Sequence, residues 1–164
     1  MDGPGTVPLS LQRSRPGDGW LGLILDANIL IRFAIGRQVP RLLASYAARV
    51  DFLAPDTVFT EAKRNLSAIL RARGHAGAGE TAALAALDAA AEIITAVPAS
   101  SYEPMRAAAL TRIGARDPDD WPVLACALLL NCPIWTEDRD FFGTGVATWT
   151  TTLIEQYFAK PDPE

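Results

Sequence analysis

Short apolar runs alternate with longer stretches of helical periodicity along most of the chain. Residues 21–25 form a continuous apolar run stopped by Asp26, the pattern of a strand buried on both faces of a parallel sheet. Residues 50–54 and 92–97 give two further strand candidates, the second closed by Pro98. Residues 133–136 predict a short buried strand, and 146–148 an edge strand. Helices are predicted over 28–34, 40–48, 57–73, 80–91, 102–113, 121–131 and 151–158. Pro40 suits a first helical turn, and Val58, Ala62, Asn65, Leu66 and Ile69 recur on one mixed face of the 57–73 segment. Gly74, Gly77 and Gly79 mark a loop between two of these helices. Strands alternating with helices predict an α/β fold, a three-layer α/β/α sandwich on a mainly parallel sheet. Residues 1–19, rich in glycine and proline, read as a mobile lead-in to one domain over 20–160.

Composition narrows the class. A chain of 164 residues fits one domain, and 49% hydrophobic residues supply a core that a disordered chain lacks. Fifteen Lys and Arg against nineteen Asp and Glu give a net charge of −4, which excludes a constitutively basic nucleic-acid coat. It does not exclude a nucleic-acid substrate where divalent cations supply the positive charge. Cys126 and Cys132 form no CxxC pair, so neither a disulfide framework nor a zinc knuckle is present, and a reducing cytosol suits them. The apolar run over 123–130 is too short to cross a bilayer, and the N-terminus lacks the apolar core of a signal peptide. A cytoplasmic protein with no membrane partner is expected.

The acids carry the chemistry. Asp26 ends the first predicted strand, and Asp138 and Asp140 directly follow the 133–136 strand. Ligands of open α/β sheets bind beyond the carboxyl ends of strands. Asp119 and Asp120 begin the 121–131 helix, and Glu61 lies in the first turns of the 57–73 helix. One pocket is thereby expected to gather Asp26, Glu61, Asp120 and Asp138, with Asp119 and Asp140 behind them. Carboxylates within about 4–6 Å raise one another's pKa and resist joint ionisation. A hard divalent cation, Mg²⁺ or Mn²⁺, relieves that conflict. Water activated by such a cation can then hydrolyse a phosphodiester in line.

Leu25-Asp26-Ala27-Asn28, Thr60-Glu61, Asp120 followed by Ala125-Cys126-Ala127, and the run from Trp135 to Phe141 together resemble the four acidic motifs of the PIN domain. Their order and spacing cover about residues 21–158. The resemblance implies a Mg²⁺- or Mn²⁺-dependent endoribonuclease, and many PIN domains are VapC-like toxins paired with an antitoxin. It implies that Asp26, Glu61, Asp120 and Asp138 are catalytic and bind metal, with Asp140 as an auxiliary metal ligand. Asn28 and Thr136 would orient carboxylates or water, with Asp119 also in support. The third motif offers Asp117, Asp119 and Asp120; Asp120 is chosen because Ala125 and Ala127 then lie five and seven residues on, but the ligand stays open among the three. Lysines are only Lys63 and Lys160, so RNA contacts fall to arginines, and Arg64, Arg116 and Arg139 are assigned to substrate. The expected partners are an RNA substrate, a cognate antitoxin and a second copy of the chain, with helices over 28–48 and 57–73 as docking or dimer surfaces. The alternative is a catalytically inactive PIN-like module that binds protein or RNA; retention of every acid in the pattern speaks against it.

Taken singly, these residues also have structural readings. Asp26 and Asp120 could be helix caps, Glu61 a solvated residue favoured by a helix N-terminus, and Asp138 and Asp140 turn formers. His75, the one histidine, sits in the glycine loop and offers no Ser-His-Asp or Cys-His site. Trp121, Trp135, Trp149 and Cys126 read as core. A Rossmann site would need glycines after the first strand, and a haloacid-dehalogenase phosphatase an Asp at position 28; neither is present.

Overall fold

The computed structural model describes residues 21–159. The lead-in expected over 1–19 and the two end residues of the expected domain, Trp20 and Lys160, lie outside them. Five parallel strands, β1 (Leu21–Leu25), β2 (Val50–Pro55), β3 (Ile94–Val97), β4 (Ile134–Trp135) and β5 (Thr148–Trp149), form one sheet in the order β3-β2-β1-β4-β5. Leu21 to Ile24 pair with Val50 to Leu53 on one side of β1, while Ile24 and Leu25 pair with Ile134 and Trp135 on the other. Flanked on both sides, β1 is nearly all buried, which explains its unbroken apolar sequence.

Helices cover the sheet in two groups. α1 (Ala27–Ile35), α2 (Gln38–Tyr46), α3 (Asp56–Ala72) and α4 (Ala78–Ala90) pack on one another. α5 (Ala99–Tyr102), α6 (Arg106–Ile113) and α7 (Trp121–Leu130) form the second group, with α7 lying against β1, β2 and β4. α7 is apolar around its whole circumference and buries Val123 through Ala127, as a helix pressed between a sheet and a neighbouring helix must. The closing α8 (Ile154–Phe158) sends Phe158 edge-on to Phe52 and Trp135. Trp135 and Cys126 are fully buried, as expected, while Trp121 and Trp149 are partly buried against the core.

The differences from the predicted elements have local causes. The helix expected over 102–113 is interrupted by a 3-10 turn, Glu103–Met105, because Pro104 lacks the amide that a continuous helix would use. The strand expected from 92 starts at Ile94, since the amides of Ala91, Glu92 and Ile93 still bond to carbonyls at the end of α4. The edge strand is displaced to Thr148–Trp149, where Thr136 N bonds Trp149 O at 3.0 Å. The closing helix begins at Ile154 because Thr151 is engaged elsewhere. Its amide donates to Glu137 Oε1 and its hydroxyl accepts from Trp135 Nε1.

The chain passes from β1 to β2 and β3 on one side, then returns to β4 on the other. β1 and β4 therefore flank the point where strand order reverses, and a parallel sheet opens its ligand crevice beyond the strand ends at that point.

Candidate active site

Asp26 stands one residue past β1 at this crevice and is 5% exposed. It is the N-cap of α1, with Oδ1 accepting from Ala27 N at 2.7 Å. The cap does not use up the carboxylate. Oδ2 accepts from Thr136 Oγ1 at 2.8 Å and from Asn28 Nδ2 at 3.1 Å. Thr136 stands one residue past β4, so this hydroxyl joins the two strand ends. Its oxygen also accepts from Asp138 N at 2.9 Å and from Asn28 Nδ2 at 3.2 Å, while Asn28 Oδ1 accepts from Glu137 N. Asn28 and Thr136 thus orient Asp26 and begin the turn that carries Asp138. Burial pushes the Asp26 carboxyl above the ordinary carboxylate range against the pull of these hydrogen bonds, and Asp138 and Asp117 push it further.

The turn after β4 is short. Asp138 Oδ1 accepts from Asp140 N at 2.9 Å and caps a 3-10 turn, Arg139–Phe141, anchored by the fully buried Phe141. A matching turn, Pro118–Asp120, leads into α7, with Asp117 Oδ1 accepting from Asp119 N at 3.0 Å. Carboxylate oxygens of Asp117, Asp120 and Asp140 all lie within 4.8 Å of one another. Asp120 occupies the N-cap position of α7, yet its side chain makes no cap bond. Its Oδ2 is buried with no hydrogen-bond partner among the described residues. Burial, then the charges of Asp26, Asp117 and Asp138, and finally a hydrogen bond with the Asp138 side chain push the Asp120 carboxyl up to about 8.

The structure therefore brings Asp26, Asp120, Asp138 and Asp140 together and adds Asp117, one of the three acids left open in the third motif. The residues between Asp117 and Asp120 form a tight turn rather than an extended link, and a turn of that kind returns a side chain to its neighbour three residues on. Glu61, half-buried on α3, faces the cluster from across the crevice. Burial raises its pKa first, Asp26 adds to the rise, and Arg64 opposes it. Glu61, Asp119 and Asp120 line a groove of about 560 Å³ together with Thr57, Thr60, Arg64 and Trp121. Arg139 is exposed beside Asp138. Arg116, expected at the substrate, has its Nη1 donating to Asp140 O at 2.8 Å and to Phe142 O.

The donor set is all oxygen and all acidic, with no histidine and no thiolate. One acid already retains a proton near neutral pH, and one buried oxygen has no donor. A hard divalent cation meets each of these conditions at once, so the residues fit Mg²⁺ or Mn²⁺. Among the described residues no helix is long and apolar enough to cross a membrane.

The sequence profile of the PIN domain matches residues 24–159. Among solved structures, the chain is similar to a chain in the crystal structure of VapBC2 from Rickettsia felis bound to a DNA fragment from their promoter. The TM-score is 0.61 at 12% identity, covering 79% of this chain and 98% of that one, a likeness of fold. Comparison with curated protein sequences gives no match. The profile spans the whole crevice, from the end of β1 to the turn after β4 and on through α8, and the chain accordingly belongs to the PIN domain family.

Proposed function

We propose that this chain is a Mg²⁺- or Mn²⁺-dependent endoribonuclease and the toxin of a toxin–antitoxin pair. The observation that carries the nuclease reading is the buried, partnerless Oδ2 of Asp120 among acids delivered by separate segments of the chain. A structural acid in that position would have a donor; this one is held ready for a cation. Asp26, Asp120, Asp138 and Asp140 would hold the ion or ions, with Asp117 beside Asp120 and Glu61 facing from α3. When bound, such a cation neutralises the clustered carboxylates, acidifies a water for attack on phosphorus and offsets charge on the departing oxygen.

The chain's own residues supply orientation and access. Thr136, Asn28 and the Ala27 amide hold Asp26 through both of its oxygens and so orient its carboxylate at the crevice. Asp119 lines the groove next to Asp120. Arg64 on the groove wall and Arg139 on the exposed turn would take phosphates of the RNA strand, with Arg64 acting through its charge and its forked donors. The groove has the size of an ordinary ligand pocket and opens directly onto the acids. No side-chain nucleophile is needed.

The toxin role rests on membership of a family with many VapC-like toxins and on a fold shared with a chain of VapBC2. The antitoxin would be a separate protein. Pairing of two copies through the layer containing α1 and α3, where Ile35 is 44% exposed, belongs to the same proposal; a monomer by light scattering would remove that part. The direct test of the nuclease is cleavage of single-stranded RNA with Mn²⁺, with Mn²⁺ removed by EDTA, and with Asp26→Asn. Loss of cleavage in the last two is expected, and undiminished cleavage by Asp26→Asn would overturn the reading.

A further inference from the structure

The two acid-bearing turns are joined by a pair of arginines that form no ion pair among the described residues. Arg112 lies in the last turn of α6 and Arg116 one turn further on, immediately before Asp117. Both reach the loop that follows Asp138. Arg116 Nη1 donates to Asp140 O and Phe142 O, and Arg112 Nη1 donates to Thr144 O at 3.0 Å. The accepted carbonyls alternate, 140, 142 and 144, so the loop presents one edge of its backbone to the two guanidinium groups.

The glycines of this loop have a matching reason. Gly143 and Gly145 have φ of +82° and +86°, a region that other residues adopt only with strain. They also leave room for the arginines. A Cβ on Gly143 would stand 3.3 Å from Arg116 Nη2, and one on Gly145 would stand 2.9 Å from Arg112 Nη1. Two arginines one turn apart, two glycines and three carbonyls thus form one device. It spans the gap between the segment carrying Asp117 and Asp120 and the segment carrying Asp138 and Asp140.

We propose that Arg116, supported by Arg112, is a positioning residue that sets the spacing between Asp117–Asp120 and Asp138–Asp140 and thereby the affinity of the cluster for a divalent cation. The proposal rests on the reading of the acids as a cation site. In this role Arg116 acts through the backbone of the loop, by its bonds to the Asp140 and Phe142 carbonyls. Side chains that support metal ligands from behind typically change metal affinity about 10- to 100-fold when removed.

The test is Mn²⁺ binding to the full chain, followed by loss of the free-ion electron paramagnetic resonance signal, with the melting temperature of the metal-free protein recorded in parallel. Arg116→Ala is expected to weaken Mn²⁺ binding about tenfold or more at a temperature where the metal-free variant is fully folded. Arg116→Lys keeps the charge but not the planar guanidinium that holds Nη1 between both carbonyls, and should recover only part of it. Gly143→Ala, which crowds the guanidinium without removing it, should also weaken binding and covers the case that Arg116→Ala fails to fold. A merely structural arginine would lower the melting temperature and leave the affinity of the folded protein unchanged, and that result overturns the proposal. No Mn²⁺ binding by the unsubstituted chain overturns the cation site itself and the proposal with it. Binding by the unsubstituted chain with unchanged affinity in the folded variants overturns the proposal alone.

Discussion

Asp120→Asn isolates the central electrostatic tension of the crevice. The metal-free protein holds a proton on Asp120 up to about pH 8, against an ordinary value of 3.8. The folded state therefore binds this proton more tightly than the unfolded chain. The resulting stability is fully present below about pH 4 and is lost as pH rises through 8. At 1.36 kcal/mol per unit the nominal loss is ~6 kcal/mol. Asp120 is only partly buried, and solvent screening reduces this to ~2–3 kcal/mol. About 70% of that interval lies above pH 5, so at ~2–4 °C per kcal/mol for a domain of this size the metal-free protein should melt ~3–8 °C lower at pH 9 than at pH 5. Asparagine mimics the protonated acid, including a donor for Asp138, so the variant should lose most of that slope. Asp26 and Glu61, also raised, leave a remainder. Mn²⁺ should act in the opposite sense. At a hundredfold excess over its dissociation constant it stabilises the unsubstituted protein by ~2.7 kcal/mol, and the variant by much less. The assay is thermal unfolding by circular dichroism across pH, with EDTA and with Mn²⁺. Parallel pH profiles, or equal responses to Mn²⁺, would refute the account of Asp120.

Other consequences are open to simpler measurements. Thr136→Val removes the hydroxyl shared by Asp26 Oδ2 and Asp138 N, leaving buried groups unpaired. A loss of ~1–3 kcal/mol in urea unfolding and a fall in RNA cleavage are expected, whereas full activity would show that Asp26 needs no such support. Arg64→Ala should raise KM for RNA with little change in kcat, in steady-state cleavage of a fluorogenic oligonucleotide; a fall in kcat alone would move Arg64 from binding to chemistry. Leu124→Ala, in the middle of α7 and fully buried, should cost about 2–5 kcal/mol by denaturant titration. Burial pushes the Cys132 thiol up to about 12 and raises Cys126 as well. Both should therefore resist a thiol-titrating disulfide reagent in the native protein and react once it is unfolded, and rapid native labelling would contradict their burial.

The part of the site legible in the sequence is the part tied to strand ends. The LGLIL run stopped by Asp26 and the Ile134–Thr136 strand followed by Asp138 put acids on one sheet edge because parallel strands share their carboxyl end. Among the helices of ten residues or more, α3 is legible from its mixed face, α4 from its Ala/Leu composition and α7 from the length of its apolar run. What stayed open or escaped depends on backbone geometry with no periodic trace. Asp117 joins Asp120 and Asp140 only because the Pro118–Asp120 turn brings it back. Arg116 reads in the sequence as a charge available to RNA, and its bonds to the Asp140 and Phe142 carbonyls, beside two glycines of positive φ, are seen only in the fold. The Arg-x-x-x-Arg spacing and the Gly-Thr-Gly run were visible signals for that pairing, but neither indicates the other without the fold. The short strands shifted by a residue or two because hydrogen bonds at their ends, such as those of Thr151, compete with the ladder.

How the protein holds five acids together also explains why they remain usable. Its ion pairs among the described residues are Lys63–Asp88, Arg71–Glu80 and Arg106–Glu103, none of which includes an acid of the cluster. An arginine bound to Asp120 or Asp138 would relieve the repulsion and stabilise the fold, but it would also occupy the oxygens. The chain uses neutral donors instead: the Ala27, Asp119 and Asp140 amides, the Asn28 amide and the Thr136 hydroxyl. These bonds direct the carboxylates without cancelling their charge. The cations beside the cluster, Arg112 and Arg116, are bound to carbonyls rather than carboxylates. The remaining conflict is carried by the protein as a raised Asp120 and, among the described residues, a buried oxygen without a donor, at the start of a helix packed against the sheet. A local arrangement that opposes folding while every surrounding element supports it is the mark of a site kept for a ligand.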